Sequence, residues 1–203
     1  MSESNQNGNG INGVAHALAV SQEDKARLTL FEYDSANYTE KQLDNIEQGY
    51  ESFHKKAVTW LNIDGIEDVE IIQKLAEHCN IHHLIVEDIV ITNQRPKMDD
   101  CGEYLFILLQ MLTVDKKTKE LVSEQVSFVV GRDYVISFQE TAGGDVFDGI
   151  RERIRKNKGR IRKMGADYLA YVLIDCIVDN YFVILDNAEV KIEKLEEGIV
   201  KET

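Results

Sequence analysis

Along the chain the spacing of apolar positions changes period several times, and each change marks an element. "LTLFEY" (28–33) and "AVTWLNI" (57–63) read as strands, with a polar stretch near Thr39 to Gln48 between them that reads as helical and follows the turn residues "DSAN". "IEDVEIIQKLAEHC" places Val69, Ile72, Leu75, Ala76 and Cys79 at helical spacing, with Asp64-Gly65 as a turn before it and Asn80 as its terminator. A second helix follows from about His82 to Ile91. It must stop before Pro96, which has no amide hydrogen and pushes Arg95 towards extended backbone.

The period then shortens. "YLFILLQMLTV" is a near-continuous apolar run, the pattern of a central strand covered on both faces, and it is read as the heart of a sheet. "DKKTKE" turns into "EQVSFVV", and "GRD" turns into "YVISFQE", giving an antiparallel meander in which Gly131 is expected to supply an unusual backbone angle. Strands flanked by helices imply an α/β protein, an αβα sandwich with a mixed, partly antiparallel sheet.

The C-terminal third differs in kind. Gly143-Gly144 breaks the chain, and "VFDGIRERIRKNKGRIRK" follows as a strongly basic helix with an interruption at Gly159. From Ala166 to about Val200 no breaker intervenes until Gly198, which predicts a helix on the order of 50 Å long. Ile174, Val178, Tyr181, Leu185, Ala188, Ile192, Leu195 and Ile199 step along it by alternating fours and threes, a coiled-coil-like seam that asks for a helical partner. The expected organisation is a disordered tail over 1–25, an α/β core over 26–142 and a long helical hairpin over 143–203.

Composition narrows the classes of function. The formal net charge is -13, from 23 basic and 36 acidic side chains, which disfavours nucleic acid as a partner because that affinity rests on neutralising phosphates. Cations and basic partners fit better. Cys79, Cys101 and Cys176 are odd in number and lack CxxC spacing, so they are read as buried thiols in a reducing compartment. No uninterrupted apolar run approaches the roughly 18–20 residues of a bilayer span, so none is expected in this chain. No GxSxG, P-loop or GxGxxG occurs, which leaves hydrolytic and dinucleotide chemistry without an anchor, and the chain is read as a non-enzyme.

The carboxylates are the remaining chemistry. Asp175, Asp179, Asp186 and Glu193 fall at offsets of 0, 4, 11 and 18 and share one stripe of the long helix. Such a stripe is ordinarily a solvated face, and the basic segment is its expected intramolecular counterpart. Glu87 and Asp88 are adjacent, so on a helix they point about 100° apart and each reaches for a different partner. His78 and His82 have zinc-like spacing, but Asn80 divides the two helices and no third ligand follows. An acidic oligomeric scaffold without a specific metal site is the alternative reading of these features.

Taken together, "VTWLNIDG", "HHLIVEDIVITNQRPK", "YLFILLQML", "EQVSFVVGRDYVISFQE" and "GDVFDGIRERIRKNKGRIRKMGADYLAYVLIDCIVDNYF" resemble, in this order, the cytoplasmic N-terminal domain of CorA-type magnesium and cobalt transporters. The resemblance runs over roughly residues 28–200 and implies a Mg2+-sensing and gating domain, with Co2+ or other divalent cations as further ligands, of a homopentamer at the cytoplasmic face of the membrane. It further implies that a stalk helix, transmembrane helices and the family's Gly-Met-Asn pore signature lie beyond Thr203, together with the aspartate that faces the principal site from the next subunit. By the same resemblance Asp88 is the principal metal ligand, Glu87 belongs to a second site, and Asp175 is a further ligand of that second site. The chain departs from the family pattern at His83, where a proline is usual, and at the lysines mixed into "NAEVKIEKLEEG".

Overall fold

The structure is a computed structural model that describes residues 26–115, 117–141 and 144–201. The expected tail over 1–25 lies outside the described residues. The strands are β1 (Arg27–Tyr33), β2 (Tyr38–Leu43), β3 (Val58–Asp64), β4 (Lys97–Asp100), β5 (Leu105–Val114), β6 (Leu121–Val130) and β7 (Tyr134–Gln139). They form one sheet in the order β2-β1-β3-β7-β6-β5-β4. Only β3 and β7 run parallel. The helices are α1 (Val69–His78), α2 (His83–Val90), α3 (Asp148–Arg155) and α4 (Ala166–Lys201), with 3-10 turns at Ile46–His54 and Ile161–Lys163.

Strict alternation along the central strands assigns each residue to one of two cores. Leu61 and Ile63 of β3 and Ile136 and Phe138 of β7 face α1 and α2, meeting Ile72, Leu75, Ile85 and Ile89. On the other side Trp60 and Val135 join Phe128, Ile150, Ile154, Leu169, Leu173 and Ile177 beneath α3 and α4. The expected αβα sandwich is therefore present. Each of Leu169, Leu173 and Ile177 is fully buried, and each such side chain contributes about 1.5–3 kcal/mol towards holding α4 on the sheet.

Several local expectations are corrected. Most of Thr39 to Gln48 is not helical: Tyr38–Leu43 is an edge strand paired with β1, its polarity reflecting the solvent on its outer side, and only from Ile46 does a 3-10 turn begin. The sheet's centre is β7, not β5. β5 contributes to both cores, through Phe106 and Leu108 on one side and Met111 on the other, yet only the short β4 lies beyond it. Gly131 is absent from the left-handed region; what excludes a side chain there is the Tyr134 ring, 2.3 Å from where a Cβ would sit. Cys101 is exposed, while burial pushes the Cys79 thiol up to about 12.

The helical pair is lopsided. α3 has 8 residues, because left-handed Asn157 (φ 49°) and Gly159 (φ 72°) end it and a 3-10 turn leads on to α4. α4 itself has 36 residues, about 54 Å. Its seam is half-buried at Ile174 and Tyr181 and exposed at Val178, Leu185 and Ile192; positions 195 and 199 lie outside the residues whose side chains are described. Within Ala166–Glu193 an 18-residue window reaches a mean hydropathy of 1.7, a length and composition shared by membrane spans and by core helices. Much of that apolarity serves the sheet, on which the first three turns lie.

Candidate functional site

α2 is placed by both its ends. His82 caps its N-terminus, with Nδ1 accepting the Leu84 N–H at 3.3 Å, while the His82 N–H donates to the Tyr104 hydroxyl at 2.9 Å. Ile85 and Ile89, four apart, press into the core and turn Glu87 and Asp88 outwards. At the C-terminus the free carbonyls are taken by amides: Gln94 Nε2 donates to Asp88 O and Ile91 O, both at 2.9 Å, and Gln125 Nε2 donates to the same two at 3.0 and 3.1 Å.

Two carboxylates therefore sit near the negative end of a helix dipole, where anions are disfavoured, and α2 carries no basic residue in its last turn. The compensation comes from another element. Lys97, the first residue of β4, donates through Nζ to Asp88 Oδ2 at 2.5 Å and lies 3.6 Å from Asp99 Oδ2. That hydrogen bond holds the Lys97 ammonium above its ordinary pKa. The Asp88 side chain retains 22% exposure, so water and a small ion can still reach it.

The other predicted residues are apart. Glu87 is exposed and lines a groove of about 540 Å³ between α1 and α2, beside Gln73, Glu77, Asn80 and His83. Asp175 is exposed on α4, across the sheet from α2, so a single chain does not bring it to Glu87. The two histidines are engaged elsewhere: His78 stacks on Tyr50 with ring centroids 3.9 Å apart, and His82 is the helix cap. Among the described residues no three His, Cys, Asp or Glu side chains converge to hold a metal. Such a donor set does not enclose an ion.

Sequence reasoning missed Lys97, although it stands in "RPK" within the segment singled out. Periodicity carries no signal for a pair that closes across a loop from helix to edge strand.

The second concentration of charge is buried. Trp60 Nε1 donates to Ser137 Oγ (2.9 Å), Ser137 Oγ donates to Asn62 Oδ1 (2.6 Å), and Gln139 Nε2 donates to Asn62 Oδ1 (2.9 Å) and Asp64 Oδ1 (2.7 Å). Arg27 pairs with Asp64 and Arg151 with Asp145. Burial by itself would raise the Asp145 carboxyl, but Arg151 and the Phe147 N–H overcome it and hold the group below its ordinary value. The basic segment also makes pairs nearer the surface: Arg155 pairs with Glu40 and Lys156 with Glu152. Among the described residues no salt bridge joins it to the acidic stripe of α4, contrary to the expectation.

With this geometry in view, the likeness to known proteins is specific. The family described as "CorA-like Mg2+ transporter protein" matches residues 55–203. The cobalt/magnesium transport protein CorA of Thermotoga maritima is 42% identical over 174 residues, 86% of this chain and 49% of that protein. A putative metal ion transporter of Bacillus subtilis is 31% identical over 141 residues, 68% of this chain and 41% of that protein. The soluble domain of CorA from Methanocaldococcus jannaschii shares the fold with a TM-score of 0.62 at 13% identity, covering 85% of this chain and 64% of that one. The chain thus spans about half the length of these two transport proteins. It belongs to the CorA-like Mg2+ transporter family.

Proposed function

We propose that this chain is the cytoplasmic divalent-cation sensing and gating domain of a magnesium/cobalt transporter that assembles as a homopentamer, and that it carries no enzymatic activity. Asp88 is the principal ligand; Glu87 and Asp175 serve a second site. One observation supports this most: Glu87 and Asp175 lie on opposite sides of one sheet, so an ion that uses both must lie between subunits. An ion so placed changes the packing of neighbours, and packing is what a gate needs. Chains of charge -13 repel one another, and a divalent ion between opposed carboxylates turns that repulsion into attraction. Occupancy then favours the packed, closed arrangement and limits further uptake.

Thermal unfolding in MgCl2 against NaCl of equal ionic strength tests the reading on this chain. At ten times the dissociation constant, binding to the folded state adds about 1.4 kcal/mol. A magnesium-specific rise that Asp88→Ala abolishes is expected. In the intact transporter the same substitution should leave transport poorly inhibited by internal magnesium. Unchanged inhibition there would refute the gating role.

A further inference from the structure

The Lys97–Asp88 pair occupies the atom that the proposed reading gives to a metal ion. Lys97 is fixed in place from several directions. Pro96 precedes it, β4 pairs it with Leu108 of β5, and its ammonium lies 5.7 Å from the centroid of the fully buried Phe106 ring. A cation so tethered is present at Asp88 at a high effective concentration whatever the ionic composition of the solvent. Asp99 Oδ2, 3.6 Å from the same nitrogen, gives the ammonium a second acceptor when it leaves Asp88.

We infer that Lys97 is a built-in competitor for the divalent cation at Asp88, and that displacing it sets how much free cation the domain must meet before it responds. The inference rests on the reading of Asp88 as a cation ligand and adds the residue that weakens it. The physical logic is one of exchange. An incoming ion gains the carboxylate but must break a charge-assisted hydrogen bond and release the ammonium, so the apparent affinity falls by the strength of that pair. Without Lys97 the two acids at the negative end of α2 would be uncompensated and would draw the ion more tightly. A tight site would stay filled at low cation and report nothing.

The test uses magnesium as the probe and the shift of the unfolding midpoint across an MgCl2 titration at constant ionic strength as the readout, for wild type, Lys97→Met, Lys97→Arg, Arg95→Gln and Lys97→Met/Asp88→Asn. Lys97→Met should lower the half-maximal MgCl2 concentration by about two- to fivefold. Lys97→Arg, which keeps the charge, should not lower it. Arg95→Gln removes a neighbouring exposed charge that has no contact with Asp88, and it should shift the titration far less than Lys97→Met. The double variant should lose the response. If Lys97→Met is prevented from folding, Lys97→Gln makes the same comparison.

A wild-type response that Lys97→Met leaves equal or weaker overturns the competitor while the sensing reading stands. Equal shifts in Arg95→Gln and Lys97→Met overturn it too, since net charge alone would then explain the gain. A response that emerges only in Lys97→Met and vanishes in the double variant supports it in its strongest form. No magnesium-specific response in any variant overturns the competitor, since removing Lys97 then uncovers no cation site at Asp88, and the sensing reading is decided separately by Asp88→Ala in the intact transporter.

Discussion

The molecule holds two acid–base pairs of similar composition in opposite settings. Asp145, just before α3, and Arg151, on its inner side, are largely withdrawn from solvent, with side-chain exposures of 6% and 12%, and both belong to a network anchored on Asn62, Asp64 and Gln139. Asp88 and Lys97 sit at the rim, with exposures of 22% and 34%, and α2 is held there by amide caps independently of the pair. A desolvated pair can neither exchange its partner nor lose it cheaply, whereas a rim pair can do both. The first is suited to fixing a fold and the second to responding to an ion.

The comparison breaks most readily at Arg151. Arg151→Met should cost about 3–5 kcal/mol in urea unfolding, because it leaves a buried carboxylate without its cation. The pH dependence carries a sign. In the wild type the Asp145 carboxyl is depressed, so its contribution is present above the ordinary carboxylate range and is lost as pH falls through the folded value. In the variant, burial is opposed only by the Phe147 N–H and the Gln139 amide, and protonation relieves part of the cost. The gap between the two proteins should therefore narrow steadily from about pH 7 to about pH 3. A gap that stays constant would show that Arg151 acts through packing alone.

Gln125→Leu sharpens the other half. It removes the donor to the carbonyls of Asp88 and Ile91 and should cost about 1–2 kcal/mol. Amide exchange over the last turn of α2 should speed up more than exchange in β7. Equal protection with and without Gln125 would mean that Gln94 alone holds the helix end.

These two regions differ also in how far the sequence disclosed them. Helix spacing placed Val69–His78 and His83–Val90 to within a residue or two, and the turn before Pro96 is dictated by covalent geometry. The collinear segments carried the family and so the two-sided sandwich. The polar network was invisible because Asn62, Ser137 and Gln139 alternate with core residues and read singly as the wet face of a strand; only the docking of α3 and α4 makes that face an interior. β2 was misread because a solvated edge strand lacks the apolar alternation that identifies strands. Asp88 could be named from its neighbours in the sequence, but Lys97 could not, since their contact depends on where an edge strand begins.

The smallest expected effect is the most informative about the rim. Asp88→Ala removes an ion pair worth at most about 1 kcal/mol and at the same time relieves a carboxylate near the negative end of α2, worth about 0.3–1 kcal/mol in the other direction. The two should nearly cancel, leaving unfolding in metal-free buffer within about 0.5 kcal/mol of wild type. Ile85 and Ile89 still anchor the helix, and the glutamine caps need only the Asp88 backbone. A near-neutral variant that has lost its magnesium response would separate ligand from scaffold at one residue. A loss as large as that of Arg151→Met would place Asp88 with the buried pairs, as a carboxylate that holds the fold together and has no freedom to exchange its cation.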